Sequence, residues 1–324
     1  MASVTITGSR KPTPARGAPA GTARAQGDPL VPRMLLAKRL RELREAAGLS
    51  RPNAGLAIGA SESKIARLEL GRTGAKARDV GGLLDRYGAD PGERATLLAL
   101  AEQTGARPWW HADGDIVPHW ARDYLSAEQA AKLVRTFEAQ FVPGLLQTED
   151  YTRELVRRLR PETASETASE TASETASETA SETEVERRVE FRMLRQRVLR
   201  RRPRPLNLWV VLDEGALWRP VCAPATMRVQ IRHIVEQCRR PNVTIQIAPL
   251  GISGQVAGDG ALTLVRFPQQ GLQDMVYLER PDNAVYPTRR AEIEHHWHIF
   301  NTLVTEAAPP EQTPHRLARI LATY

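Results

Sequence analysis

The stretch "SESKIARLELGR", Ser61 to Arg72, decides the reading of this chain. It begins on a residue type that caps helices and ends just past a glycine that stops them, so it predicts a short helix between Ser61 and Gly71. At 100° per residue Ile65 and Leu68 face inward while Ser63, Ala66 and Arg67 face outward, with Glu62 and Lys64 on the flanks. A helix with small and polar groups on the outside of its amino-terminal half can enter a DNA major groove, where bulk would block approach. Capping by Ser61 leaves backbone N–H groups able to meet a phosphate. Any small helical bundle also has helices with a polar outer face, and this pattern alone does not separate the two readings.

Outward from this stretch the helical pattern continues. Leu36, Leu40, Leu43 and Ala47 step by four, three and four along one helix face, and Gly48 stops that helix. Ser50 caps a second helix, with Pro52 tolerated in its first turn and Gly59 at its end. Asp79–Tyr87 and Asp90–Glu102 give a fourth and a fifth helix. The result is a compact all-α module over residues 33–104. Its second and third helices, joined by a three-residue turn, follow the helix-turn-helix plan, with the third as the reader. Residues 1–32, rich in Pro, Gly, Ala and Thr, are expected to form a disordered tail, either passive or adding weak phosphate contacts through Arg10, Lys11, Arg16 and Arg24.

The remainder, residues 105–324, is expected to be a second domain. From Trp109 to Pro161 the pattern is mainly helical, interrupted by "VPGLLQT" at Val142–Thr148. "TASE" then repeats five times from Thr163 to Glu182 and would stack Glu166, Glu170, Glu174, Glu178 and Glu182 as like charges at i,i+4. Residues 163–183 are therefore expected to be a flexible insertion, or a weak helix at most. An Arg-rich helix follows at Glu184–Arg202, with Val185, Val189, Met193, Leu194 and Val198 as its apolar stripe. Strands are predicted at 206–212, 243–250, 262–267 and 275–280. A helix near Ala225–Arg239 makes the first two a parallel strand–helix–strand unit. Helices at Arg289–Ala307 and Pro314–Ala322 close the chain. The fold class is α+β overall: an amino-terminal all-α five-helix helix-turn-helix bundle, then a mixed α/β domain with a small, partly antiparallel sheet.

The 324 residues carry a formal net charge of +7, which favours a polyanionic partner. Cys222 and Cys238 fit neither a zinc site nor a CxxC pair and are expected to be reduced, buried thiols. No apolar run approaches the roughly 18 residues of a membrane span and no apolar signal core is present, so the expected location is cytoplasmic, with no membrane contact. "EIEHHWHIF" (Glu292–Phe300) offers Glu292/His296 and Glu294/His298 as half of a metal site, but the other half is missing, and no metal or cofactor is expected. "LDEGAL" pairs Asp213 with Glu214 and lacks any accompanying nucleophile or phosphate loop, so no enzyme is expected. The arginines of Arg187–Arg204 could lie along DNA phosphates or form a solvated face. Trp109 and Trp110 are expected in the core.

"LRELREAAGLS", "GASESKIARLELGR" and "VGGLLDRYGAD" resemble the XRE (repressor/Cro-like) helix-turn-helix family, over about residues 35 to 90. The resemblance implies an internal ion pair between Arg44 and Glu69. Ala54 and Gly55 depart from the Leu-Ala common in that family, which reads as a packing variant. "FEAQFVPGLLQTEDYTREL", "VERRVEFRMLRQRVL", "LDEGALWRPV", "PNVTIQIAP" and "VYLER" are similar to an actinobacterial domain of unknown function that follows such modules in WhiJ-like regulators, over about residues 109 to 310. The repeat falls between two of these motifs and so looks like an expansion of a family loop. Together these imply a transcriptional regulator that binds a double-stranded DNA operator as a homodimer. Its carboxy-terminal domain would bind a small-molecule effector or a small companion protein. Glu62, Ser63, Ala66 and Arg67 are the expected base readers, and Arg51, Ser61, Lys64 and Arg72 the expected phosphate contacts. The alternative is an antitoxin-like or adaptor protein with secondary DNA binding.

Overall fold

The computed structural model describes residues 28–159, 174–219, 221–251 and 260–324. The expected tail lies outside the described residues up to position 27. Five helices come first: α1 (Leu30–Ala46), α2 (Arg51–Ala57), α3 (Glu62–Glu69), α4 (Ala77–Tyr87) and α5 (Pro91–Gln103). Local chemistry sets their ends. Ser50 accepts the Asn53 N–H, Ser61 accepts the Lys64 N–H, and Asp90 accepts those of Gly92 and Glu93. Leu36, Leu40, Ala54, Ile65, Leu68, Val80, Leu83 and Leu84 form the bundle core.

Two expectations for α1 need correction. The helix starts at Leu30, inside the stretch read as tail, because Leu30 is buried in the core of the following domain with Ala127 and Leu199. Ala47 is exposed beyond the helix end, and Arg44 is the buried residue of the last turn. A stripe counted by apolar character alone cannot show an inward arginine that has a partner.

The second domain is built on a six-stranded sheet of order β3-β2-β1-β4-β5-β6. The strands are β1 (Leu133–Glu138), β2 (Asn207–Asp213), β3 (Val243–Ala248), β4 (Leu262–Arg266), β5 (Met275–Glu279) and β6 (Ala284–Val285). β1, β2 and β3 run parallel, and β4, β5 and β6 complete the sheet antiparallel. The helices are α6 (Arg122–Ala130), α7 (Glu149–Arg158), α8 (Glu174–Arg195), α9 (Pro224–Gln237), α10 (Arg290–Glu306) and α11 (Thr313–Leu321). Residues from α7, α9 and α11 cover one sheet face through Tyr151, Leu155, Met227, Ile231, Ile234 and Leu317, and α10 covers the other through Ile293, Phe300 and Leu303.

β1 overturns the mainly helical reading of Trp109–Pro161. "LVRTFE" is only six residues long and its partners lie about 70 and 130 positions away at Asn207 and Arg266, so no local signal marks it. α8 begins at Glu174, inside the TASE repeat, and the earlier part of the repeat lies outside the described residues. The helix is anchored downstream of the repeat, where Val185 and Val189 are buried. Trp109 is half-buried and stacks on Phe191, ring centroids 5.1 Å apart, which makes it packing. Cys222 and Cys238 are free thiols. Among the described residues no helix is long and apolar enough to cross a membrane.

Candidate nucleic-acid interface

The α2–α3 connection, Ile58 to Ser61, is tight for a steric reason. The Ala60 N–H donates to the Gly55 carbonyl at 2.9 Å, and a Cβ on Gly55 would fall 2.4 Å from the Ala60 carbonyl oxygen. The departure from the family pattern at Gly55 thus lets the turn fold back on its own helix. Gly59 supplies a positive φ of 62° in the same turn.

Three side chains lock α3 to its neighbours. Arg44 on α1 donates to both carboxylate oxygens of Glu69, Nε to Oε1 at 2.5 Å and Nη2 to Oε2 at 3.0 Å. Its Nη1 donates to the Leu49 carbonyl at 2.8 Å. Arg51 on α2 donates Nε to Glu69 Oε2 at 2.9 Å. Arg44 and Glu69 are both buried, and one carboxylate thus joins three helices.

This platform presents the outer face of α3. Glu62, Ser63 and Arg67 are exposed and Ala66 is half-buried, while Ile65 and Leu68 are in the core. Ser61 and Ser63 share a hydroxyl hydrogen bond at 3.0 Å. Among the described residues the guanidinium groups of Arg67 and Arg72 make no ion pair or hydrogen bond, which leaves both available. Two expected phosphate contacts are already engaged: Arg51 with Glu69, and Lys64, whose Nζ lies 2.6 Å from Asp79 Oδ2. The Lys64–Asp79 pair ties α3 to the first turn of α4. Lys76 and Arg78, exposed beside Asp79, were missed from the sequence. Their signal was available: cations at a helix amino terminus oppose its dipole by about 0.3–1 kcal/mol, so a pair of them needs another reason to be there.

The other constellations are internal. Asp213 accepts the Gly215 N–H at 2.7 Å and Glu214 accepts the Trp218 indole N–H at 3.2 Å. His296 turns Nδ1 to the Glu292 carbonyl, and among the described residues no cluster of three or more His, Cys, Asp or Glu could hold a metal. The arginines of α8 are held: Arg187 by Asp115, Arg188 by Glu184, Arg192 by Gln147 and Arg195 by buried Glu128. Arg192 and Arg195 converge with the ends of β1 and β5 on a polar network. There burial and neighbouring Glu279 push the Glu138 carboxyl up to about 8, and burial and neighbouring Arg195 push Arg192 down to about 10.

Residues 35–97 match a family described as a helix-turn-helix domain, which contains α2, α3 and the whole Arg44–Glu69–Arg51 lock. Residues 121–175 and 168–319 match the family described as a domain of unknown function (DUF5753). The chain belongs to the DUF5753 family. No curated protein and no solved structure matches it. The two DUF5753 segments overlap inside the TASE repeat, which locates the repeat at a seam of the family pattern. Deleting Thr163–Glu182 removes the Arg157–Glu182 pair, whose partners are both about half exposed and so worth 0–1 kcal/mol. The expected result is a deletion protein whose unfolding midpoint in urea stays close to that of the full chain. Aggregation or a large midpoint loss would show the repeat to be structural.

Proposed function

We propose that this DUF5753 chain is a sequence-specific transcriptional regulator that reads a double-stranded DNA operator with the exposed face of α3. The observation that carries the reading is Arg67, without an ion pair or hydrogen bond among the described residues, on a short helix fixed from behind by one buried carboxylate. Rigid placement matters because a base contact needs its side chain held within about half an ångström. Arg67 is the guanine reader, its fork matching O6 and N7, with Glu62, Ser63 and Ala66 along the same groove. Ser61, Arg72, Lys76 and Arg78 meet phosphates, while Lys64 and Arg51 orient the helix through Asp79 and Glu69. The chain acts as a cytoplasmic homodimer of the XRE, WhiJ-like kind, with half-sites about one helical turn apart. Its second domain takes an effector or a small companion protein.

The test is selection from a randomised duplex library at several salt concentrations. Arg67→Ala should lose about 1–3 kcal/mol and relax one position in each half-site, with the salt slope unchanged. Arg72→Ala should weaken all sequences alike and lower the slope of log K against log salt by about one. Wild-type protein that enriches no sequence would overturn the proposal, and the adaptor reading would then stand ahead.

A further inference from the structure

The run from Arg195 to Arg204 holds six arginines and no acid in ten positions. It leaves α8 through the helical turn Gln196–Arg200 and enters β2. Two arginines and an asparagine build this loop. Arg201 donates to the backbone carbonyls of Gln129, Ala131 and Arg204. Arg240 donates to the Leu199 carbonyl at 3.0 Å, and Asn242 Nδ2 to those of Leu199 and Leu206 at 3.1 and 2.7 Å. The other cations have no such work. Arg197, Arg200, Arg202, Arg204 and Arg239 are exposed, and among the described residues none of their guanidinium groups makes an ion pair or hydrogen bond. This differs from α8 just upstream, where Arg187, Arg188, Arg192 and Arg195 are all partnered. The loop borders an open cleft of about 610 Å³ lined by Arg200, Arg201, Arg202, Pro205, Arg240 and Asn242. Glu236 and Arg200 both lie close enough to His233 on α9 to act on its charge.

The cleft lies at the same end of the sheet as the helical bundle. Its residues immediately precede β2 and β3, which run parallel to β1, so they sit at the amino-terminal end of all three strands. β4 is antiparallel, and its last residue, Arg266, pairs with Leu133 at the start of β1. The β4–β5 loop therefore emerges at that same end, and its Gly271 lies against Lys38 of α1, where a Cβ would fall 2.5 Å from Nζ. Leu30, at the start of α1, packs in the cluster that holds Val198 and Leu199 beneath the arginine loop.

We propose that this arginine loop is a second DNA-binding surface, which grips the phosphate backbone of duplex flanking the bases read by α3. The inference rests on the DNA-binding reading above and adds a contact from the DUF5753 domain. Unpaired guanidinium forks match phosphate geometry, and loss of condensed counterions from the duplex supplies the free energy without any base readout. A chain that binds this way needs DNA longer than its recognition sequence.

The experiment uses the full chain and a library-selected site, embedded in a short duplex and in one extended by about one turn on each side. The variant is Arg200→Gln/Arg202→Gln/Arg204→Gln, which spares the loop-building Arg201 and Arg240; the matching triple lysine variant keeps the charge. On the extended duplex the glutamine variant should bind about 10–100-fold more weakly at 0.1 M salt, with the slope of log K against log salt reduced by about 2–3. Its sequence preference should match wild type, the lysine variant should retain the slope, and on the short duplex the difference should shrink. Equal slopes for wild type and the glutamine variant on the extended duplex overturn this inference and leave the α3 reading intact. So does a slope loss confined to a single-stranded RNA of the same length. Wild type that binds no duplex overturns both.

Discussion

Glu69→Ala is expected to destabilise the amino-terminal bundle by about 3–5 kcal/mol, because it strands a buried arginine. The Glu69 side chain is 2 % exposed and that of Arg44 9 %, and Arg44 gives Glu69 two of its hydrogen bonds. Without the carboxylate, Arg44 keeps the Leu49 carbonyl and a 3.4 Å contact to the exposed carboxylate of Glu45, and Arg51 loses the group that draws it in. Arg44→Ala should cost somewhat less, since Arg51 can still meet part of the Glu69 charge. The double replacement Arg44→Met/Glu69→Leu should recover much of the loss, as apolar substitutes of similar volume often do for buried pairs. Because α1 also packs into the second domain, whole-chain unfolding mixes two events. Hydrogen exchange at the α3 amides isolates the bundle. Protection equal to wild type in both single variants would mean the lock does not hold α3.

The same lock shows what was legible in the sequence and what was not. Caps and stops are local chemistry, so Ser50, Ser61, Gly59 and Gly71 placed α2 and α3 to within a residue or two. The inward and outward faces of α3 followed from helical period alone. Strands β2 to β5 announced themselves through β-branched runs between Pro, Gly and Asn. β1 did not, since what makes Leu133–Glu138 a strand is pairing with segments far along the chain. Charge was the hardest feature to read. The sequence presents Arg51, Lys64 and Arg67 all as cations facing DNA, yet Arg51 and Lys64 are held by Glu69 and Asp79, while Arg67 has no partner among the described residues. Likewise, Arg187–Arg204 looks like one basic stretch. The fold divides it into partnered arginines on α8 and, on the loop beyond, Arg197, Arg200, Arg202 and Arg204 without partners among the described residues, because the helix packs against the acids and amides of α6, the β1–α7 loop and the segment before α6.

Glu138→Gln is expected to change the pH dependence of stability, with a sign that follows from the surroundings. Glu138 ends β1 on the face shared by Thr136, whose hydroxyl donates to it at 3.3 Å. Glu279 at the end of β5 and Arg192 and Arg195 on α8 are the charges that face it. Burial and the Glu279 charge outweigh the hydroxyl and the two guanidinium groups, so its carboxyl rises from an ordinary 4.5 to about 8 in the folded chain. Between those values the folded state holds a proton that the unfolded state has released. The contribution of Glu138 to stability is therefore fully present below about 4.5 and is lost as pH rises through about 8. At 1.36 kcal/mol per pKa unit the ceiling is about 5 kcal/mol, and water reaching this half-buried group reduces it to on the order of 2–3 kcal/mol. Glutamine keeps the shape and the hydrogen-bonding oxygen without the titration. The variant should thus gain on wild type steadily from about pH 4.5 to 8 and then level off, with all other titrating groups cancelling between the two proteins. Urea unfolding of both at half-unit pH steps measures the difference directly. A difference that stays flat across that range would mean Glu138 ionises normally and that Arg192 and Arg195, for all their other partners, hold its charge.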